Sequence, residues 1–408
     1  MNNNKTHILV ISQYFYPEQF RINDICQEWV KRGYDVTVVT GIPNYPKGKF
    51  YDGYGLFKKR KEKYNGINIV RIPLIPRGNN NSVMLALNYL SFVVSGYFWT
   101  KSTKLKSDYV FIYETSPITQ AFIGKWYSKR ENIPCYLYVM DLWPESVQVI
   151  TGTTNKFILS ALDKMVNSIY SGCDKIFTSS QSFIDEIKKR DISESKLEFW
   201  PQYAEDFYKP LNKDEVDVKE IPNDNNFNII FAGNIGEAQG LGILPDVAII
   251  LKDRGKNVRF NIVGDGRYKD TLLLLVKQKN VEDMFNFIDK QPATRIPELF
   301  DACDASLICL SRSPLFSITI PAKTQSCLAC GIPIIVSADG EIQNIINDAE
   351  CGVCSDAGNI NCLVDNICKM TEMSQDKLIN MSSNALKYSK DYYDKLSLLN
   401  KMDSYFNI

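Results

Sequence analysis

Residues 228–251, NIIFAGNIGEAQGLGILPDVAIIL, read as a strand, a glycine loop and a helix in immediate succession. Ile229, Ile230 and Phe231 form the short β-branched and aromatic run that a fully buried parallel strand requires. Gly233, Gly236 and Gly240 interrupt it, and from Leu244 the apolar residues recur at helical spacing. Glycines at such a turn let a ligand approach the backbone closely, and the amides that open the following helix carry partial positive charge. The stretch therefore reads as a phosphate cradle at the end of a strand, or equally as a glycine turn that holds no ligand. Its spacing is neither the dinucleotide fingerprint nor a P-loop, which removes the usual sequence support for hydride transfer and ATP hydrolysis.

The same alternation extends outward on both sides. Ahead of the cradle, strands are expected at 8–12, 36–40, 68–72, 109–113, 135–139 and 175–178, with helices at 24–31, 118–129 and 156–170 between them. Behind it, strands are expected at 228–231, 259–263, 285–288, 305–309 and 332–336. Alternating β and α segments imply doubly wound parallel sheets. Between the two series, the charged stretch LNKDEVDVKEIPNDNN at 211–226 loses apolar periodicity and reads as a linker. The expected α/β architecture is two Rossmann-like domains, 1–210 and 211–384, facing each other across a cleft, with a helix at 385–408 crossing back to the first. Ligands bind beyond the carboxyl ends of parallel strands, so the motifs should line that cleft.

Composition narrows the function. Hydrophobic residues make up 45% and charged residues 23% of 408, a globular profile. Lys plus Arg and Asp plus Glu are 47 each, so no global field would recruit nucleic acid. Residues 1–5 lead straight into a short apolar strand with no cleavable leader, which implies a cytoplasmic protein whose eleven cysteines are reduced. Cys327, Cys330, Cys351 and Cys354 stand at the edge of a zinc spacing, but the first pair falls on a helical segment closed by Gly331, and no metal is expected. The lone histidine, His7, begins the first strand and leaves no Ser-His-Asp or Cys-His system. The apolar run VMLALNYLSFVVSGYFW at 83–99 is interrupted by polar residues and reads first as a core helix. The alternative is a helix lying at a lipid interface, with Tyr89, Tyr97 and Trp99 at headgroup level. The basic run of Lys58, Lys59, Arg60, Lys61 and Lys63 is either a solvated loop or a contact for anionic headgroups.

Three further motifs carry candidate chemistry. In IVGDGRYKDTL, Arg267 and Lys269 open a helix after a glycine pair, where either forms a solvated first turn or reaches phosphate. In IPAKTQSCLACGIPIIVS, Lys323 sits at a helix N-terminus, where the dipole disfavours a cation unless an anionic ligand compensates. In VMDLWPES, Asp141, Trp143 and Glu145 follow a strand, a combination suited to sugar hydroxyls and to the apolar face of a pyranose. SQYFYPEQFRINDI offers Tyr16, Glu18, Arg21, Asn23 and Asp24 to the same pocket, or equally a solvated loop and helix cap.

Taken together with PNYPKGKFYDGYG at 43–55 and FWPQYAEDFY at 199–208, these segments resemble the family-4 retaining glycosyltransferases of the GT-B fold over nearly the whole chain. The resemblance extends in particular to bacterial O-antigen and capsule transferases that add N-acetyl-L-fucosamine. It implies a nucleotide-sugar in the second domain and an acceptor in the first. The reading built on it is transfer from a UDP-sugar to a lipid-diphosphate-linked saccharide at a membrane surface, with no metal or other cofactor expected. By position, Gly233, Asn234, Gly236, Gln239, Gly240 and Lys323 would hold the diphosphate, Asp289 and Gln291 the base, and Pro321 and Ser326 the remainder of the donor. Asp141 would face the acceptor. The chain departs from the family pattern at two places. Ile318 and Ser326 stand where many relatives carry glutamates, and Asn234 and Gln239 stand where many carry cations, which shifts charge neutralisation to Lys323, Lys269 or Arg267. In such enzymes the leaving phosphate itself takes the acceptor proton, so orientation and charge stabilisation dominate. Two rival readings are a sugar-nucleotide epimerase, which would need an acid and base beside the donor sugar, and a non-catalytic nucleotide-sugar-binding subunit.

Overall fold

A computed structural model describes residues 5–78, 82–211, 218–222 and 224–406. The chain divides into two units, one running through Trp200 and including the return segment from Ser404, the other spanning Pro201–Asp403.

The first unit holds β1 (His7–Ile11), β2 (Asp35–Thr40), β3 (Lys61–Tyr64), β4 (Ile67–Arg71), β5 (Tyr109–Glu114), β6 (Cys135–Val139), β7 (Lys175–Thr178) and β8 (Leu197–Phe199). They form one sheet in the order β3-β4-β2-β1-β5-β6-β7-β8. Ile8 to Ile11 are fully buried, as a strand covered by helices on both faces must be. The six expected strands are all present and parallel; two more join them. β3 pairs antiparallel with β4 through Asn65 and Gly66, both at positive φ, a hairpin signal that the charge of Lys-Glu-Lys-Tyr obscured. Part of the basic run is thus an edge strand, with Lys61 and Lys63 pointing to solvent, a common way to keep a sheet edge from pairing with another chain.

Its helices are α1 (Arg21–Lys31), α2 (Ser82–Ser102), α3 (Ala121–Glu131), α4 (Glu145–Thr151), α5 (Lys156–Ser171) and α6 (Gln181–Lys188). α2 departs from the core-helix expectation. Only its stripe Asn88, Phe92, Gly96 and Thr100 is buried, while Leu87, Leu90, Val94, Tyr97 and Phe98 are exposed on the opposite side. The packed stripe is small and polar apart from Phe92 while the aliphatic side faces outward, so apolar periodicity cannot tell which face packs inward.

The second unit holds β9 (Phe227–Ala232), β10 (Val258–Val263), β11 (Phe285–Ile288), β12 (Ala305–Cys309), β13 (Ile334–Ser337) and β14 (Gly352–Ser355), all parallel in the order β11-β10-β9-β12-β13-β14. Its helices are α7 (Leu244–Asp253), α8 (Lys269–Gln278), α9 (Ile296–Asp301), α10 (Pro314–Ser317), α11 (Lys323–Cys330), α12 (Glu341–Asp348), α13 (Ile360–Thr371), α14 (Gln375–Tyr392) and α15 (Lys395–Asp403). Along β9 the side chains alternate between two cores: Ile229 and Phe231 enter one, and Ile230 enters the other.

The unit boundary falls after Trp200 rather than after 210, and 212–217 and 223 of the expected linker lie outside the described residues. The tail also returns later than 385. α14 and α15 stay with the second unit, where Ala385 and Tyr393 are buried in its core. Only from Ser404 does the chain rejoin the first unit, and there Phe406 is buried edge-on to Trp29, Tyr34 and Tyr109 and stacked on Tyr136.

Candidate functional site

The glycine loop after β9 is built by close packing of backbones. Gly233 has φ +149°, and a Cβ on Gly264, at φ +142°, would lie 1.9 Å from the Gly233 carbonyl oxygen. The loops after β9 and β10 are therefore in direct main-chain contact, joined by Ile235 N–H to the Asp265 carbonyl at 2.9 Å and Tyr268 N–H to the Ile235 carbonyl at 3.0 Å. Gly240 abuts the Leu310–Ser311 peptide, and Ser311 donates to the carbonyls of Ala238 and Glu237. The glycines of the second motif thus hold the first loop in shape. Among the described residues, the amides of Asn234 and Gly236 donate to no protein group.

Lys323 begins α11 and reaches into this loop. Its ammonium lies 3.7 Å from the centroid of the Phe231 ring and donates to Gln239 Oε1 at 2.9 Å, and it would stand 3.4 Å from a Cβ on Gly233. Burial pushes its pKa down to about 8, against the opposing influence of the Cys327 and Cys309 thiols. Gln239, which replaces a cation common in the resembling family, here accepts a hydrogen bond from the one lysine the loop encloses. Ser326 is buried on the second turn of α11, and Pro321 and Ile318 are half-buried in the segment before it.

The other donor candidates lie differently. Lys269 forms an ion pair with Asp289 at 2.8 Å, so each occupies the other, and Gln291 donates to the Asp289 carbonyl at 3.1 Å. Lys269 holds the Asp289 carboxyl below its usual range. Arg267 is exposed on the loop after β10. The phosphate-competent cation that the geometry encloses is Lys323.

In the first unit, Asp141 follows β6 and accepts from the hydroxyls of Ser116 and Ser146, one on each carboxylate oxygen. Trp143 Nε1 donates to Ser116 Oγ at 2.9 Å, which ties the aromatic ring to the carboxylate. Burial raises the Asp141 pKa, and the two serine bonds oppose that rise. Glu114, at the end of the neighbouring β5, is fully buried with neither carboxylate oxygen hydrogen-bonded, and burial followed by the charge of Asp141 pushes it well above the carboxylate range. Tyr89 of α2 also feels this carboxylate, since burial and then Asp141 raise its phenol. Ser116, Ser146 and Glu114 were not singled out from the sequence. Ser146 was legible as the last residue of DLWPES, and the other two only from the end of the strand beside it.

The remaining acceptor candidates are engaged elsewhere in the unit. Glu145 pairs with Arg190 at 3.0 Å. Glu18 turns inward and accepts from the amides of Asn44 at 2.7 Å and Tyr45 at 2.6 Å, its pKa raised by burial to about 7. Asn23 donates to the Glu18 carbonyl, Tyr16 stacks on Tyr64 at 3.7 Å, and Asp24 supplies the acidic residue in the first turn of α1. Tyr16 and Glu18 thus build the loop after β1, and Asn23 ties it to the start of α1. The four cysteines of the zinc spacing are free thiols, and Cys327 donates to Ser306 Oγ at 3.2 Å.

Comparison with known proteins bears on the fold and the class of activity. Residues 212–388 match the family model described as Glycosyl transferases group 1. Escherichia coli (strain K12) WcaI, named as a colanic acid biosynthesis glycosyl transferase, is 23% identical over 345 residues, covering 81% of this chain and 83% of that protein. The alpha-monoglucosyldiacylglycerol synthase of Acholeplasma laidlawii is 23% identical over 333 residues, covering 79% of this chain and 76% of that one. Among solved structures, sucrose-phosphate synthase from Thermosynechococcus elongatus superposes with a TM-score of 0.76 at 13% identity over 98% of both chains. Anabaena HepE in complex with UDP gives 0.70 at 15% identity, over 98% of this chain and 99% of that one. The fold is GT-B, and the family match over the second unit supports a glycosyltransferase.

Proposed function

We propose that this chain transfers an amino-deoxyhexose of the N-acetyl-L-fucosamine type from a UDP-sugar to a lipid-diphosphate-linked saccharide during assembly of a surface polysaccharide, at the cytoplasmic face of the membrane. The observation that carries the reading is the enclosure of Lys323 between the Phe231 ring and Gln239, beside loop amides that have no protein partner. A desolvated cation at a helix N-terminus is unfavourable to the fold alone. A diphosphate would relieve both the ammonium and the amides. Bond cleavage then needs charge stabilisation on the departing β-phosphate, which a lysine and fixed amides supply without reorganisation. Asp141, fixed by Ser116 and Ser146 beside the Trp143 ring, orients an acceptor hydroxyl.

The relatives lend support in kind. One is named for colanic acid biosynthesis and another for synthesis of a glycolipid, and a structural neighbour was solved with UDP. The test is a panel of UDP-sugars incubated with a lipid-diphosphate saccharide and read by mass spectrometry. Transfer restricted to UDP-amino-deoxyhexoses is the expected result. UDP-sugar binding without turnover would instead indicate a binding subunit, and interconversion of the donor without acceptor would indicate an epimerase.

A further inference from the structure

α2 presents two opposed stripes. The inner one is built into the first unit: Asn88 accepts from Gln13 Nε2 at 2.7 Å and donates to the Ile75 carbonyl at 2.6 Å, and a Cβ on Gly96 would overlap the Ile123 side chain of α3. The outer one carries Leu87, Leu90, Val94 and Phe98, with Leu90 60% and Phe98 66% exposed. The segment Val83–Ser102 is long and apolar enough to cross a bilayer, but its inner stripe is hydrogen-bonded and packed along its length, which fixes the helix on the surface of the unit.

The chemistry around this stripe is one-sided. From 83 to 107 there is no acidic residue, while Lys101 and Lys104 follow the apolar face at its C-terminal end. There Tyr97 meets Trp126 of α3 edge-on at 5.3 Å, Trp126 stacks on Phe122 at 5.6 Å, and the ammonium groups of Lys101 and Lys125 lie over Tyr97 and Phe122. The nearby Glu131 is already paired with Lys106 and Arg130. Aliphatic side chains bounded by aromatic rings and snorkelling lysines match the depth profile of a bilayer interface, with acyl chains first and anionic headgroups next. A self-complementary contact centred on this stripe would set Lys101 and Lys104 of one copy against the N-terminal end of the other copy's α2, where no acid stands to meet them.

We infer that the outer stripe of α2 lies in the plane of an anionic lipid surface, with Leu87, Leu90, Val94 and Phe98 among the acyl chains and Lys101 and Lys104 at the phosphates. It deepens the proposed function, since it assigns the face by which an enzyme with a lipid-linked acceptor meets the membrane. It places that contact on α2 rather than on the Lys58–Lys63 run, half of which forms the edge strand β3.

The test is co-sedimentation of the full chain with vesicles of phosphatidylcholine, alone or mixed with phosphatidylglycerol. Binding to the mixed vesicles is expected, with a drop of at least about tenfold in partition for the double variant Leu90→Asp, Val94→Asp and unchanged affinity for UDP. Lys101→Glu with Lys104→Glu should abolish the preference for phosphatidylglycerol. Brominated lipid should quench tryptophan emission of the wild-type protein, a readout that needs no variant. Absence of quenching, sedimentation of the double variant like wild type, or a wild-type dimer that the double variant dissolves would each overturn the assignment. Lipid binding by a chain that fails to bind UDP would sink the transferase reading and leave this one standing.

Discussion

Lys323 is a cation stored beside an aromatic ring at the wrong end of a helix, and its titration should be visible in binding. Because burial lowers its pKa to about 8, the ammonium is the dominant form below that value and is lost as pH rises through it. UDP affinity should therefore fall as pH rises above about 8, and calorimetry in buffers of differing ionisation enthalpy should show proton uptake on binding there, because a bound diphosphate restores the charged form. Lys323→Ala should raise the UDP dissociation constant by about tenfold or more, ~1.4 kcal/mol or above, with unchanged circular dichroism. At Asp141 the sign is opposite. Ser146→Ala removes a donor that lowers the carboxyl pKa, so the acid limb of the pH–rate profile should move to higher pH. Turnover should fall by about tenfold while UDP affinity is retained. Both residues stand out in the sequence, because Lys at a helix N-terminus and Asp-x-Trp at a strand end are local anomalies. It could not show that Lys269 and Asp289 neutralise each other or that Glu18 turns inward, since those pairings join loops distant in the chain.

At the scale of elements, the site depends on how closely two loops approach. Gly264→Ala would drive a Cβ into the Gly233 carbonyl at a φ that L residues rarely adopt. The expected cost is about 1–3 kcal/mol, read as a lower melting temperature, together with weaker UDP binding because the loop after β9 must shift. Most strands were legible because buried parallel strands are continuous apolar runs. β3 was not, since a charged edge strand satisfies none of that pattern and only the Asn65–Gly66 turn announced it. α2 was misjudged for a related reason. Periodicity identifies a packed face only when the packed face is the apolar one, and here the buried stripe carries Asn88, Gly96 and Thr100 while the exposed side is aliphatic and aromatic.

For the whole molecule, two α/β units were legible from the two runs of alternating elements, while the boundary was not. The charged stretch at 211–226 looked like the join, yet the contacts divide the chain ten residues earlier than expected, after Trp200. The return of the tail depends on one aromatic side chain. Phe406→Ala removes contacts to Trp29, Tyr34, Tyr109 and Tyr136, and should destabilise the first unit by about 3–5 kcal/mol. Hydrogen exchange should register the loss in β1, β5 and β6 and not in β9 to β13. The same contact sets an order of events during synthesis. Phe406 leaves the ribosome only after every residue of the second unit, so the half made first waits with an open aromatic pocket around Trp29 while the half made later closes on itself.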